Sequence, residues 1–312
     1  MIVKKEKQQC FSDTQVKRLM PDEEKTMIKL FTDTSANLPS EILKKYNIEV
    51  VPFTYQVDGV TAQQDPDADF DGKKFYDAMR AGASVKTSMI NIFDYMDAFR
   101  RSLENGDDVL YIGMSGGISG AAHSASIAVM ELQDEYPDRR IAAIDTFAAS
   151  LGEGLLVIKA AQMIGNNVSF ERVEEYISEA RNTMCQFFTV DDLEYLKRGG
   201  RLSGIATLVG SLLKIKPILK GDEEGKIISC GKARGKQAAL LALAEKYDSL
   251  AKDRSSDIGI AHADDIKDAE FLLGELRRKG FTGKCLTVCY EPVTGAHVGP
   301  GTVALFFPGI HK

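Results

Sequence analysis

Residues 109–120 read VLYIGMSGGISG, an apolar tetrapeptide followed by a glycine-rich run. The apolar residues 109–112 predict a buried strand, and the alanine-rich residues 121–130 after the glycines predict a helix. Residues 141–144, with the sequence IAAI, predict the next strand. Since strands that alternate with helices form parallel sheets through right-handed crossovers, this stretch indicates an α/β fold.

The residues before this stretch continue the same pattern. Residues 28–32 and 48–57 predict strands, and residues 39–46 predict a short helix between them. The pair Asp58-Gly59 suits a tight hairpin turn, because both turn positions favour positive φ. Apolar residues at helical spacing from Ile92 to Leu103 predict an amphipathic helix that Asn91 can cap.

The second half of the chain predicts another α/β unit. Its apolar runs predict strands at residues 187–190, 227–228, 258–260, 286–288 and 302–307, and helices at about 232–248 and 266–279. A chain of 312 residues favours two domains. We therefore predict a polar N-terminal extension at residues 1–26, an N-terminal α/β domain at 27–183 and a C-terminal α/β domain at 184–312.

Composition narrows the function classes. The net charge of −6 gives no general basic surface for nucleic acid. No apolar stretch reaches the roughly 18 residues of a membrane span, and no apolar signal core follows the first methionine, so we expect a cytoplasmic protein with at most transient membrane contact. The five cysteines form no CxxC motif and the four histidines no HExxH motif, so we expect no metal.

The glycine-rich run has three interpretations. Gly113-Met114-Ser115-Gly116-Gly117 fits the G-x-S-x-G nucleophile elbow between a strand and a helix, and His297 lies downstream where a triad histidine would come. The run continues through Ser119, so its hydroxyls and backbone N–H groups at a helix N-terminus also suit an anion. A purely structural turn is the third interpretation.

Three other segments carry polar groups that can serve a ligand. Lys86-Thr87-Ser88 precedes the capped helix, and its hydroxyls face either a ligand or solvent in a predicted loop. His297 lies in the glycine-rich residues 295–301, a predicted loop that can approach a ligand closely. The basic residues 197–201, KRGGR, predict a loop that is either a solvated turn or a docking site for an anion or a partner.

A phosphate-binding loop is not supported. Residues 221–226, GDEEGK, are one residue short of a Walker A motif and lack the hydroxyl residue after the lysine. Asp222 and Glu223 would also repel a phosphate. We interpret this segment as an exposed hairpin turn.

Taken in order, these segments resemble the DegV family from residue 28 to residue 307. The resemblance rests on the order of short motifs rather than on any one of them. The motifs are TDTSANLP at 32–39, Thr87-Ser88, SGGISG at 115–120, IDT at 144–146 with GEG at 152–154, LKRGGRLS at 196–203, LLKIKPIL at 212–219 and HVGPG at 297–301.

The resemblance implies two α/β domains with a ligand cleft between them, the DegV or EDD-like fold. It implies that a long-chain fatty acid is buried there, and that the protein presents it to a fatty acid kinase subunit for acyl-phosphate formation without performing chemistry itself. The implied ligand contacts are Thr87, Ser88, Ser115, Gly116, Ser119 and His297, with Arg198 and Arg201 as candidate phosphate or partner contacts. No other cofactor is implied, and a serine hydrolase using Ser115 and His297 is the alternative.

Two departures from the family pattern fall at the implied headgroup site. Gly116 stands where many relatives have a second serine, so Ser115, Ser119 or the free backbone N–H of Gly116 itself can take the role of the missing hydroxyl. Met89-Ile90 replaces the usual Gln-Pro after Thr87-Ser88, which makes the entrance more apolar. A carboxylate in an apolar cleft needs compensating hydrogen bonds, and the hydroxyls and the imidazole can supply them without a fixed countercharge.

Overall fold

The computed structural model describes residues 27–66, 68, 70–202 and 215–310. The predicted extension at residues 1–26 lies outside the described residues, as do Ser203 and residues 212–214 of the family motifs. Among the described residues, no helix has the length and the apolar character needed to cross a membrane.

Strands and helices alternate along most of the described chain. The strands are β1 (Ile28–Asp33), β2 (Glu49–Val51), β3 (Thr54–Val57), β4 (Val60–Gln63), β5 (Val85–Ser88), β6 (Asp108–Gly113), β7 (Ile141–Asp145), β8 (Met184–Thr189), β9 (Ile215–Gly221), β10 (Ile227–Arg234), β11 (Ile258–His262), β12 (Cys285–Cys289) and β13 (Val303–Pro308). The helices are α1 (Ser40–Tyr46), α2 (Gly72–Arg80), α3 (Ile92–Glu104), α4 (Ala121–Glu135), α5 (Leu151–Gly165), α6 (Phe170–Ala180), α7 (Glu194–Arg198), α8 (Lys236–Leu250), α9 (Ile266–Arg278) and α10 (Pro292–Val298).

The first sheet is parallel, as the sequence predicts. Its strand order is β2-β1-β6-β7, with every neighbouring pair parallel. One face packs on α3 and α4 through residues such as Phe31, Tyr95 and Ala125, and the other face packs on α5 and α6. Parallel strands carry their ligand sites beyond the carboxyl ends, here the ends of β1, β6 and β7.

The single strand predicted at residues 48–57 is wrong. The chain leaves the parallel sheet after β2, and β3 joins a separate antiparallel sheet of order β4-β3-β5. Pro52 lies at the break and has no N–H group for a sheet, while the N–H of Phe53 donates to Thr34 Oγ1 at 3.2 Å. The predicted hairpin turn is confirmed, with φ of 49° at Asp58 and 84° at Gly59.

Three segments predicted as loops contain regular structure. Thr87 lies in β5, Lys197 and Arg198 end α7, and His297 lies in α10. The last helix has a strong start signal, since Pro292 occupies its first turn and the Glu291 carboxylate accepts from the N–H groups of residues 293 and 294. Gly295 therefore lies within a helix, and only Gly299 and Gly301 follow it, so the segment is not one long loop.

The second sheet has the order β10-β9-β8-β13-β11-β12, and its pairs are antiparallel except β11 with β12. Helices α8 and α9 cover one face through residues such as Leu243 and Leu272. Helix α8 begins at Lys236, not near 232, because β10 continues to Arg234. The predicted domain boundary at residue 184 stays a prediction.

Helix α5 lies between the two sheets. Its apolar residues pack with β1 and β6 of the first sheet and with Phe188 and Phe306 of the second in one continuous core. The helix therefore fixes the first sheet's carboxyl ends against the second sheet, and the pocket described below lies at this junction.

Candidate functional site

A pocket of about 840 Å³, including its open mouth, lies between the loops after β6 and β7 and the second sheet. Most of its lining is apolar, as ligand pockets for hydrocarbon chains require. The polar lining side chains are Thr87, Ser88, Ser119, Ser150, Gln186, Arg201, Tyr290, Thr294 and His297, and the apolar ones include Phe53, Met89, Met114, Ile118, Phe188, Leu196, Ile227, Val293 and Phe306.

Thr87 and His297 are hydrogen-bonded to one another across the pocket wall. The Thr87 Oγ1 and His297 Nε2 atoms are 2.8 Å apart, with the threonine in β5 and the histidine in the last turn of α10. When Nε2 carries the imidazole proton it donates to Oγ1, and the Thr87 hydroxyl hydrogen is then free to donate to a ligand. The two predicted residues therefore form one unit.

The imidazole of His297 is closely enclosed. Burial and, to a smaller extent, the nearby Arg201 cation together lower its pKa to about 4. Gly199 lies so near that a Cβ there would stand 2.2 Å from His297 Nδ1, so only glycine fits at this position. His297 is consequently neutral at pH 7 and becomes easier to protonate when an anion lies beside it.

Arg201 lines the pocket and has no acidic partner among the described residues. Its Nε donates to the carbonyl of Ile118 at 3.0 Å and its Nη1 to the carbonyl of Gly199 at 2.5 Å. Burial without a compensating carboxylate lowers the pKa of the guanidinium. The pocket thus holds a half-buried cation, whereas the sequence reasoning expected a cradle without a countercharge.

The two candidate serines lie in different surroundings. Ser115 is fully buried, and its hydroxyl donates to the carbonyl of Gly225 at 3.0 Å while accepting from the N–H of Gly117 at 3.0 Å. Ser119 lines the pocket, and its Oγ accepts from the N–H of Ala121 at 3.2 Å, which leaves its hydrogen to donate. Ser119 is therefore the serine with a donor available to a pocket ligand.

The turn between β9 and β10 covers Ser115. A Cβ at Gly225, where φ is 74°, would stand 2.0 Å from Ser115 Oγ, so the close approach and the backbone both require glycine. The turn predicted at residues 221–226 is confirmed, and it contacts the glycine-rich run instead of lying free on the surface.

The remaining predicted contacts divide between the pocket and its surroundings. Ser88 lines the pocket beside Thr87. The N–H of Gly116 donates to the Asp145 carboxylate at 2.9 Å, so it does not replace the missing serine hydroxyl. Arg198 stacks on Tyr195, 4.8 Å from its ring centre, and lies outside the pocket lining.

The sequence reasoning missed four polar side chains of the lining, Ser150, Gln186, Tyr290 and Thr294. Ser150 Oγ and Thr294 Oγ1 are buried and have no hydrogen-bond partner among the described residues. Thr294 precedes His297 by three positions in α10, a helical spacing that can identify it once the helix is known. Ser150 directly precedes α5, and no sequence pattern marks its side chain as free.

A network of buried acids lies behind the pocket at the end of β1. Asp33 accepts from the Ser35 hydroxyl at 2.5 Å and from the Tyr111 hydroxyl at 2.6 Å. The Glu153 carboxyl accepts from the Thr32 hydroxyl at 2.9 Å and its other oxygen lies 2.8 Å from Ser35 Oγ. Burial raises the pKa of both carboxyls, that of Glu153 well above its usual range. These groups fix the end of β1 beneath the pocket.

No group of three or more histidine, cysteine, aspartate or glutamate side chains suited to a metal ion occurs within the part of the chain that the structure describes. The polar groups of the pocket are hydroxyls, one imidazole, one amide and one guanidinium. These are donors suited to an anionic oxygen rather than ligands arranged for a cation.

Comparisons with known proteins agree with this architecture. A family model described as "Uncharacterised protein, DegV family" matches residues 27–308. A DegV domain-containing protein of Clostridium perfringens is 36% identical over 285 residues, which are 91% of this chain and 98% of the relative.

Solved structures match over nearly the same length. A fatty-acid-binding DegV family protein from Thermus thermophilus superposes with a TM-score of 0.82 at 29% identity, covering 90% of this chain and 99% of the other. A fatty-acid-binding DegV family protein from Streptococcus agalactiae gives a TM-score of 0.81 at 31% identity, covering 90% and 98%. The predicted two-domain α/β fold is confirmed by these neighbours.

Proposed function

This chain belongs to the DegV family, and we propose that its pocket binds a long-chain fatty acid and that the protein presents the acid to a fatty acid kinase. The family membership predicted from the order of the motifs is thereby confirmed. The relatives from Thermus thermophilus and Streptococcus agalactiae are fatty-acid-binding proteins, which supports the same ligand class here.

The observation that carries the proposal is the meeting of Thr87, His297 and Arg201 on one mostly apolar pocket. A carboxylate leaves water only when hydrogen bonds or opposite charge replace its hydration. The threonine hydroxyl, the imidazole and the guanidinium supply these, while the apolar lining suits a hydrocarbon tail. A free fatty acid has both parts.

In the proposed complex, Thr87 donates its hydroxyl hydrogen to the carboxylate while accepting from His297 Nε2. Ser119 donates the hydroxyl hydrogen that its contact with Ala121 leaves unused. Ser115 supports the site from behind through Gly225 and Gly117. These contacts favour Ser119 over Ser115 as the serine that contacts the ligand.

Arg201 gives the proposal its link to a kinase. Transfer of a phosphoryl group to the carboxylate adds negative charge, and a guanidinium without an acidic partner among the described residues can take that charge. We assign Arg201 to the carboxylate and later to the acyl phosphate. Arg198 is exposed and stacked on Tyr195, so it serves as a partner contact at most. The protein acts as a carrier and not as an enzyme.

The geometry gives the serine hydrolase alternative little support. A nucleophile elbow needs the serine hydroxyl within hydrogen-bond reach of its histidine. Here the Ser115 hydroxyl donates to the Gly225 carbonyl and His297 Nε2 is bonded to Thr87. The serine is also fully buried, outside the pocket lining.

Mass spectrometry of the extracted ligand tests the binding proposal. Protein purified from cells and denatured in organic solvent should release about one fatty acid per chain. The binding proposal would be overturned in favour of the serine hydrolase by two results together. The extract would contain no lipid, and the protein would hydrolyse a short acyl ester in a reaction that Ser115→Ala abolishes.

A matched pair of arginine variants tests the carrier role. With a bacterial fatty acid kinase, ATP and bound acid, Arg201→Ala should lower the rate of acyl-phosphate formation at least about tenfold, the loss of a charge-assisted contact. Arg198→Ala is the control for removing a nearby cation. Equal rates for Arg201→Ala and the unmodified protein would exclude Arg201 from the headgroup site.

A further inference from the structure

Ser150 contributes a buried hydroxyl to the pocket that the carboxylate site described above does not use. The residue is 1% exposed, lines the pocket, and its Oγ has no partner among the described residues. It directly precedes α5, a helix of 15 residues, yet its side chain does not cap the helix. A buried hydroxyl without a partner costs free energy that a partner from a ligand would recover.

Further polar groups lie beside this hydroxyl. Gln186 lines the same pocket, and its Nε2 donates to the carbonyl of Phe147 at 2.7 Å. Its Oε1 lies 3.5 Å from the place where a Cβ on Gly152, in the first turn of α5, would stand. The Gln186 amide and the Ser150 hydroxyl therefore both lie at the N-terminus of α5, in a pocket whose lining is mostly apolar.

From this juxtaposition we infer that the pocket contains a second polar subsite, at the N-terminus of α5, that takes a hydroxyl group on the acyl chain of the bound fatty acid. The inference rests on the proposed function and specifies its substrate class. A ligand hydroxyl can donate to Gln186 Oε1 and accept from the Ser150 hydroxyl, whereas a methylene group leaves the Ser150 hydroxyl without a partner.

A second carboxylate fits this subsite less well than a neutral hydroxyl. The first turn of α5 also carries Glu153, whose carboxyl lies in the buried network with Asp33. An anion beside these carboxyls would have no countercharge in a poorly solvated place and would oppose their ionisation. The guanidinium of Arg201 is bonded to Ile118 and Gly199 carbonyls, in the part of the pocket that holds His297.

The strained backbone at Ser150 agrees with a functional position. Its φ of 52° and ψ of −139° are rare for a residue with a side chain. Glycine would adopt this conformation at a lower conformational cost than serine does. The hydroxyl in the pocket is the group that glycine would lose.

Competition binding with a matched set of acids tests the inference. Stearic acid and a panel of monohydroxystearic acids, with the hydroxyl at successive positions, would be measured against the delipidated full chain. At least one isomer should bind about threefold to tenfold more tightly than stearic acid, the gain of one net hydrogen bond. In Ser150→Ala the ratio of the two affinities should fall to about 1.

Thr189→Val is the matched control, because Thr189 is also fully buried with an Oγ1 that lacks a partner among the described residues, but it does not line the pocket. It should keep the wild-type ratio. If stearic acid binds and no isomer binds more tightly, the subsite is refuted while the fatty acid function stands. A preference that survives in Ser150→Ala refutes the assignment to Ser150. If no acid binds, the proposed function itself fails.

Discussion

The Thr87 hydroxyl and the His297 imidazole are 2.8 Å apart although 210 positions separate them in the chain. The bond joins β5 of the small antiparallel sheet to the last turn of α10, at the edge of the pocket. Because each side chain orients the other, the pair should respond to mutation as a unit.

A double-mutant cycle checks this coupling. Thr87→Val and His297→Gln should each weaken fatty acid binding by about 10-fold to 100-fold, since each removes a hydrogen bond to a charged group. The double variant should lose clearly less than the product of the two. Thr61→Val, an exposed threonine in β4 of the same sheet, should bind as the wild type does. If the loss of affinity in the double variant equals the product of the two single losses, the two side chains act independently.

The two serines should separate into a binding and a structural role. Ser119→Ala should weaken fatty acid binding by about threefold to tenfold with little change in stability. Ser115→Ala leaves the Gly225 carbonyl without its donor and should lower the free energy of unfolding by about 1–2 kcal/mol. Isothermal titration and denaturant unfolding of both variants give the comparison. The reverse pattern would assign the ligand contact to Ser115.

Ligand binding should raise the pKa of His297. Burial and Arg201 hold this pKa at about 4 in the free protein, against a usual value of 6.5. A bound carboxylate favours the imidazolium, so the complex should take up protons between pH 4 and the new pKa. Imidazole NMR with and without a fatty acid measures both values, and His297→Gln identifies the resonance. An unchanged pKa would place the carboxylate away from His297.

The free protein should also lose stability in acid because of His297. Its folded pKa lies below the unfolded value, so the unfolded state binds the extra proton as pH falls. The stability that the neutral imidazole contributes is therefore present above about pH 6.5 and lost down to about pH 4. Unfolding of the wild type and His297→Gln across this window should show converging stabilities.

Glu291 should have the opposite pH dependence. Burial raises its pKa to about 7, against 4.5, and the N–H groups it accepts from in α10 offset this only in part. A raised carboxyl pKa stabilises the fold below pH 4.5, and that contribution is lost as pH rises through 7. From pH 4.5 to 8 the stability of wild type should fall relative to Glu291→Gln by on the order of 3 kcal/mol at most.

Chemical denaturation at several pH values measures the difference, and Glu223→Gln, at an exposed position in the β9–β10 turn, controls for the loss of one acid. Glu291→Gln also replaces one of the two oxygens that cap α10. This loss of stability is the same at every pH, so it does not affect the change of the stability difference with pH. A difference that does not change with pH would mean that Glu291 keeps its charge in the fold.

The fold could be predicted further from the sequence than the site could. The parallel strands, the Asn91 cap and the Asp58-Gly59 turn follow from local patterns, and each is present. Pro52 was a visible signal that residues 48–57 do not form one strand. Likewise Glu291-Pro292 is a helix start, which the glycines around His297 concealed.

The arrangement of the pocket depends on contacts between distant segments. No local pattern places the β9–β10 turn on Ser115 or brings Arg201 beside Ile118. Those contacts decide that Ser119 has a free donor and that the pocket contains a cation. The motif order placed Thr87, Ser119, Arg201 and His297 among the candidate residues, and only the tertiary contacts distinguish their surroundings.

Helix α5 gives the chain an unusual relation between its halves. The helix belongs by sequence to the first half, yet it covers one face of the second sheet through Phe188 and Phe306. A fragment beginning at Met184 would expose that face to water and should aggregate on expression. The chain therefore resists dissection into two autonomous pieces, and any swap of one half between relatives must carry α5 together with the sheet it covers.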